Sequence, residues 1–383
     1  MASAETITAT LPGRAEQIST RIAFFIAGFG VAAWAPLVPF AKARASLDEG
    51  TLGLLLLCLG VGSIIAMPAS GALVARYGCR RLLIASTMVM CLTLPMLAVI
   101  SDLTLLGGAL LLFGAGLGML DCVVNIQAVI VERASGRPMM SGFHGLFSVG
   151  GIAGAGGVSA LLSLGASPLI ASLCVVALIA ALLVYAAPSF LSYGGKGDGP
   201  AFAVPHGVVL FIGILCFIVF LAEGAMLDWS VVFLTSVRGV DPSQAGLGYT
   251  AFATTMTIGR LMGDRIVQRL GNARIILFGG LLAGGGLALA TLVPSGIAGI
   301  AGYALVGAGC SNIVPVLFTA VGRQKTMPEH VAVPAISTLG YAGILAGPAA
   351  IGFVAHASSL SLALLGLAGL LVGVALSGRF LRV

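Results

Sequence analysis

A helix that crosses a lipid bilayer needs about 20 consecutive, mostly apolar residues, and this chain supplies such a run repeatedly. Twelve segments qualify, at 20–41, 51–73, 82–100, 104–131, 142–164, 166–187, 206–236, 243–267, 274–293, 296–322, 331–355 and 359–378. The connections are short except at 188–205, which holds Gly194, Gly195, Lys196, Gly197, Asp198 and Gly199. The pattern predicts an all-α, multi-pass integral membrane protein with the bilayer as its surroundings. Composition agrees, because 59% of the 383 residues are apolar and 8% are charged, whereas a soluble protein carries about a quarter charged residues. So few charges cannot cover a globule of this size, which excludes soluble enzymes, nucleic-acid binders and disordered regulators.

The 55 glycines suit closely packed membrane helices. The seven cysteines (58, 79, 91, 122, 174, 216, 310) sit almost all in apolar runs without CxxC spacing and read as small buried side chains. Residues 1–19 are polar and the first apolar run exceeds a signal-peptide core, so an uncleaved first helix is expected. No Walker motif, metal-ligand cluster or Ser/His/Asp arrangement is present, so neither an enzyme nor a cofactor or metal site is expected.

Lys and Arg in the loops set orientation. With the N-terminus inside, the inner segments hold Arg14, Arg21, Arg76, Arg80, Arg81, Arg133, Arg137, Lys196, Arg265, Arg269, Arg274, Arg323, Lys325, Arg379 and Arg382. The outer loops hold Lys42, Arg44 and Arg238, and Arg260 lies inside a segment. Both termini are therefore expected in the cytoplasm of a bacterial-type inner membrane, and the basic balance reports topology.

The halves repeat. Arg76-Tyr77-Gly78 and Arg269-Leu270-Gly271 lie 193 residues apart, as do Gly154 and Gly347, and Gly30…Trp34 matches Gly224…Trp229 at 194 to 195. A duplicated six-helix unit follows, with one bundle at 1–188, a linker at 189–205 and a second bundle at 206–383. Parallel repeats of this kind belong to the major facilitator architecture.

At these residues the chain resembles the major facilitator superfamily. Its loop signature appears as Gly71-Ala72-Leu73-Val74-Ala75-Arg76-Tyr77-Gly78-Cys79-Arg80-Arg81, with Ala75 where the signature has an acid. The resemblance implies that this acid holds the cytoplasmic gate through a helix-end contact. Gly263-Asp264-Arg265 keeps its counterpart, so Asp264 is expected to carry more of that duty. The stretches 116–125, 223–229 and 311–318 resemble the fucose–proton symporter and rhizopine-transporter-like branch. Fucose symporters carry an acid on the first helix, and none stands there here. The resemblance implies two pseudo-symmetric six-helix bundles around a central site.

Ionisable groups inside membrane segments cost several kcal/mol and are functional candidates. Asp121 is one, and Asn125, one turn on, is an amide able to hydrogen-bond either protonation state. Glu223 is the second candidate carboxylate. Asp121 and Glu223 are the expected proton-coupling pair. Asn125, Trp34, Trp229, Asn312 and Asp228 are the expected solute contacts; Trp faces suit a sugar-like or cationic solute, though Trp also anchors interfaces. Asp228 reads equally as a cap on the outer gate, and Gln127 points away from Asn125.

Arg76, Arg80, Arg260, Asp264, Arg269 and His144 are assigned to gating. Arg260 and Asp264, at i and i+4, are expected to pair with each other or across the gate, and His144 to make a gate hydrogen bond. Glu132 and Arg133 read as membrane-edge charges. Small-residue spacing at Gly150, Gly151 and Gly154, matched by Gly343 and Gly347, predicts surfaces on which one bundle rocks against the other.

The sequence thus points to a monomeric secondary active transporter of a small solute and protons, working by alternating access. Symport of a sugar- or polyol-like solute rests on the fucose-branch resemblance. Proton-driven efflux of drug-like compounds, or a non-coupled facilitator or sensor, are the alternatives.

Overall fold

The computed structural model describes residues 12–194 and 204–380. Residues 1–11, Gly195 to Gly199 of the expected linker, and Arg382 lie outside the described residues. Thirteen α-helices run in chain order: α1 Arg14–Trp34, α2 Val38–Arg44, α3 Glu49–Val99, α4 Leu103–Ser135, α5 Met140–Ser163, α6 Pro168–Ala186, α7 Gly207–Ser236, α8 Pro242–Leu270, α9 Asn272–Leu292, α10 Gly296–Cys310, α11 Ile313–Arg323, α12 Glu329–Ala357 and α13 Leu360–Ser377.

Each of the twelve expected segments is helical, but four are built differently from a simple rod. The first is α1 and α2 joined by a 3-10 turn over Ala35–Leu37, where Pro36 and Pro39 interrupt the hydrogen-bond ladder. The second and third are arms of the 51-residue α3, broken at Gly78. The tenth is α10 plus α11, interrupted at Ser311 and Asn312 just ahead of Pro315. Ten described helical stretches are long and apolar enough to cross a membrane. Division of α3 at Gly78, together with α8, whose hydropathy is diluted by Arg260, Asp264, Arg265 and Arg269, is consistent with the twelve expected segments.

The duplication is visible in the backbone. Gly78 has φ 77° and ψ 164°, and Gly271, at the same place in the second half, has φ 79° and ψ 160°. That positive φ favours glycine. At Gly78 a side chain would also collide with the Ser192 carbonyl, because the chain leaving α6 lies against this turn. Arg44 and Arg238 form a second matched pair. Arg44 donates to the carbonyls of Leu97, Ala98 and Ile100 at 2.8–3.0 Å, closing the C-terminus of α3. Arg238 does the same to Ala290 and Thr291 at the end of α9. These two arginines satisfy helix-end carbonyls.

Within the first half α1 packs on α5 and α6, and α3 on α4; within the second, α7 packs on α12, and α9 on α10 and α13. Glycines permit the closest approaches. Gly150 and Gly154 of α5 face the backbone of Phe25 and Phe29 in α1, and Gly343 of α12 faces Phe217 of α7. This corrects the expectation for those glycines, since they seat neighbours within a half rather than forming the rocking surface. The halves meet through α3 with α12, α5 with α8, and α11 with α4 and α5.

The outer surface is apolar, as lipid requires, with Leu54, Ile65, Val184 and Phe353 among the exposed side chains. Five cysteines are buried, Cys58 is half-buried and Cys174 is exposed, so burial does not hold for all seven.

Candidate functional site

The polar interior begins on α8. Its buried positions Ala245, Phe252, Met256, Arg260, Gly263 and Val267 recur at helical spacing, which carries Arg260 inward on an otherwise apolar stripe. A buried guanidinium needs a partner, and Glu223 of α7 provides it, with carboxylate oxygens 3.1 and 3.4 Å from Nη2. Arg260 thus pairs with Glu223 and not with Asp264 one turn on. Its Nη1 donates to Ser148 Oγ of α5 at 3.1 Å, so one side chain holds an acid of its own half and a hydroxyl of the other. Nε leans on the Ser311 carbonyl at 3.4 Å. Tyr249, on α8, lies within electrostatic range of Glu223, Asp228 and Arg260. Asp228 is exposed.

Asp121 of α4 is partly open, and no hydrogen bond or ion pair reaches its carboxylate among the described residues. Asn125 is one turn away, yet its Nδ2 donates to the Asp121 backbone carbonyl at 2.9 Å. The expected amide–carboxyl contact is therefore replaced by one that ties Asn125 to its own helix. Asn125 is 1% exposed, with Oδ1 unpartnered. Gln127 bridges Thr20 and the Leu191 amide, a structural tie.

Trp34 is buried at the end of α1 and Trp229 is half-buried on α7, its ring edge against Gly352; both indole N–H groups lack a partner among the described residues. Asn312 sits in the α10–α11 break, where Nδ2 donates to the Gly259 carbonyl and Ser311 Oγ at 3.0 and 2.9 Å. Its Nδ2 thus braces the break against α8, while Oδ1 is buried without a hydrogen-bond partner among the described residues.

The gate contacts differ from those expected. Arg76 is exposed and stacks on Tyr77, Arg80 donates to the Ala187 carbonyl in its own half, and Arg269 is exposed. Among the described residues none of these three makes a hydrogen bond or ion pair that bridges the halves. Among the described residues His144 makes no hydrogen bond through Nε2; its ring instead packs between Phe24 at 5.1 Å and Phe318 of α11 at 5.7 Å.

The bridging contacts cluster elsewhere at the arginine-rich end. Asp264 Oδ1 accepts the Gly142 amide at 2.9 Å, and Glu132 accepts the Met139 and Met140 amides at 2.7 Å each. Two carboxylates, one from each half, thus satisfy the orphan N–H groups at the N-terminus of α5. Glu132 also accepts the Thr319 hydroxyl of α11 at 2.6 Å, and Arg133 pairs with Glu329 in the first turn of α12. Glu132 and Arg133 are therefore interhalf contacts and not simple membrane-edge charges.

Sequence reasoning missed Ser148, Thr319, Glu329 and Tyr249. Glu329 opens α12, whereas the loop signature that lacks an acid at Ala75 lies in α3, and that missing acid was the one available signal that the contact is supplied from elsewhere. Ser and Thr are too common in membrane helices to mark themselves. Among the described residues, no group of three or more His, Cys, Asp or Glu could hold a metal ion.

The sequence profile of the Major Facilitator Superfamily matches residues 21–332. An uncharacterised MFS-type transporter of Yersinia pestis is 58% identical over 372 residues, 97% of each chain. Membrane protein MosC of Rhizobium meliloti is 31% identical over 360 residues, 93% of this chain and 88% of that one. Among solved structures, a single-residue variant of the E. coli fucose:proton symporter FucP superposes with TM-score 0.80 at 18% identity, covering 96% of this chain and 98% of that one. FucP in the outward conformation gives 0.79 at 17% identity, covering 97% of this chain and 100% of that one. The chain belongs to the Major Facilitator Superfamily and is a membrane transporter, not an enzyme.

Proposed function

We propose that this member of the Major Facilitator Superfamily carries a small, sugar- or polyol-like solute together with protons by alternating access between its two six-helix halves. The observation that carries the reading is Arg260, held by Glu223 in one half and Ser148 in the other. Protonation of Glu223 removes the charge that balances Arg260, so the guanidinium must find another partner. That partner is the solute or the opposite half, which couples a proton to the conformational equilibrium. Asp121, a carboxyl without a hydrogen-bond partner in the first half, is the second proton site. The indole faces of Trp34 and Trp229 supply solute walls.

The contacts at the arginine-rich end support a state closed on that side, in keeping with the likeness to FucP in the outward conformation. The basic end faces the cytoplasm of an inner membrane in this reading, and symport follows from the likeness to a fucose:proton symporter. The test is uptake into membrane vesicles, after a thermal-shift screen of sugars and inositols identifies a solute. Asp121→Asn and Glu223→Gln should each abolish acceleration by an imposed pH gradient. Unchanged gradient-driven uptake in both variants would refute coupling, and hits confined to lipophilic cations would favour export.

A further inference from the structure

Two helices buried on every side end together at the arginine-rich face. Residues 122–132 of α4 and 313–322 of α11 are buried without interruption, so neither presents a lipid-facing side over these stretches. They meet where Gly322 lies on Val129, whose side chain would collide with a Cβ at position 322. Beside this contact lies a cavity of about 120 Å³, bounded by α4 and its following turn from the first half and by α11 from the second. That is room for roughly four water molecules or one tetrahedral oxyanion.

The lining is basic. Arg133 from α4, Arg137 from the turn and Arg323 from α11 stand against one carboxylate, Glu132. Gly136, with φ 65°, ends α4 in a left-handed turn that returns Arg137 to the wall holding Arg133. Glu132 gives its oxygens to the Met139 and Met140 amides and the Thr319 hydroxyl, so its charge is already matched at the α5 N-terminus. Arg133 is matched by Glu329. Arg137 donates through Nη2 to the neutral Gln17 side chain at 3.1 Å, which leaves most of the five N–H donors of a guanidinium unspent. Arg323 makes no hydrogen bond or ion pair among the described residues. Two guanidiniums without a carboxylate partner, one from each half, therefore share one cavity.

We propose that this cavity binds a phosphate-type oxyanion from the aqueous phase, held between Arg137 and Arg323 with a further donor from Arg133, and that the anion clamps the arginine-rich end shut. Guanidinium donors match oxyanions in paired, charge-assisted geometry. The two arginines belong to different halves, so both reach the anion only while the halves are together. Such a ligand binds the closed state better and shifts the equilibrium toward it. The fully buried flanks of α4 and α11 favour a soluble anion over a lipid head group. The inference rests on the alternating-access reading and is independent of proton coupling at Glu223.

The test uses full-length protein carrying Ser141→Cys in phosphatidylcholine nanodiscs, titrated with inorganic phosphate at an ionic strength held constant with chloride. Calorimetry reads binding, and the rate of cysteine labelling reads opening of the arginine-rich end. Phosphate should bind saturably and slow labelling. Arg323→Gln or Arg137→Gln removes one charge-assisted contact and should raise the phosphate midpoint about tenfold or more, with Arg323→Lys in between. Arg323→Gln breaks no contact within the protein, so its melting without phosphate should match the parent, whereas phosphate should raise the melting temperature of the parent alone. Arg323 also sits in the last turn of α11, where a cation offsets the helix end. A role confined to that would lower stability in Arg323→Gln with no dependence on phosphate, and would overturn the site. Phosphate acting no differently from chloride, or equally on the parent and both glutamine variants, would overturn it too. Binding without slowed labelling would overturn the clamp. Slowing produced by phosphatidylglycerol in place of phosphatidylcholine, and not by free phosphate, would overturn the aqueous source. Each of these failures leaves gradient-driven uptake, the measure of the transport reading, unchanged.

Discussion

Asp264 of α8 caps the N-terminus of α5 through the Gly142 amide, 2.9 Å from its Oδ1, and so reaches from one half of the transporter into the other. The approach depends on glycine, because a Cβ at position 142 would strike the Asp264 carboxylate. Glu132 completes the cap from the first half. Helix N-termini carry about half a positive charge, so the halves are held closed at this end by a charge-assisted cap that parts when they separate.

Gly142→Ala and Asp264→Ala are therefore expected to open the arginine-rich end. Loss of an N-cap costs about 0.5–2 kcal/mol, which shifts a two-state equilibrium roughly two- to thirtyfold. Cysteine-labelling rates at Ser141 substituted by Cys, read from that side, should rise accordingly. Asp264→Asn, able to accept the same amide, should fall between the parent and Asp264→Ala. Equal labelling in all of these proteins would exclude the cap as a latch.

The Arg133–Glu329 pair is expected to matter less. The Arg133 side chain is 57% exposed and that of Glu329 14%, and exposed pairs contribute about 0–1 kcal/mol. Reversing Arg133→Glu or Glu329→Arg alone should raise labelling at the same site by no more than about fivefold, and the double reversal should restore it. Glu329 supplies a negative charge to the first turn of α12 in the absence of an acid at position 75. Adding one by Ala75→Asp should lower labelling below the parental rate.

What was legible in the sequence divides along physical lines. Helix positions were, because apolar runs of bilayer length have few alternatives, and the offset of 193 reappears as the matched backbone of Gly78 and Gly271. Asp121, Glu223 and Arg260 stood out because charge inside such runs is costly. Their partners did not. Glu223 and Arg260 are 37 residues apart on different helices, so their pairing is set by how α7 and α8 rotate against each other. Arg260 and Asp264 share a helical spacing that invites a pair, yet burial drew one to a carboxylate and the other to a helix terminus. The loop arginines Arg76, Arg80 and Arg269 make no hydrogen bond or ion pair with the opposite half among the described residues, since loop charge bears on orientation and says nothing of contact.

The helix-closing arginines predict an effect on stability rather than transport. Arg44 and Arg238 each meet two or three carbonyls at a helix end, and hydrogen bonds to charged groups contribute about 1.5–3 kcal/mol; partial exposure places the loss in Arg44→Ala or Arg238→Ala near the lower figure. The effects should add in the double variant, because the two sites share no partner. Melting of detergent-solubilised protein should show the loss, and gradient-driven uptake per folded molecule should be unchanged. Arg44→Lys should recover only part, since one ammonium cannot match the spread of a guanidinium.

The last expectation concerns Arg260 and discriminates coupling from mere scaffolding. Removing Glu223 alone leaves a buried guanidinium without its counter-charge, at an expected cost of about 3–5 kcal/mol. Glu223→Gln should therefore destabilise the parental fold, whereas Glu223→Gln with Arg260→Met should recover stability, because neither charge is then left unpaired. If the pair were only structural, that double variant would transport normally. If it couples protons to opening, the double variant should bind solute and exchange it across the membrane yet fail to concentrate it under a pH gradient. Ser148→Ala removes the third contact and leaves the ion pair intact. It should raise the exchange rate by loosening the link between halves while preserving accumulation. Counterflow and accumulation measured in the same vesicles separate these outcomes, and normal accumulation by the double variant would reject Glu223 as a coupling residue.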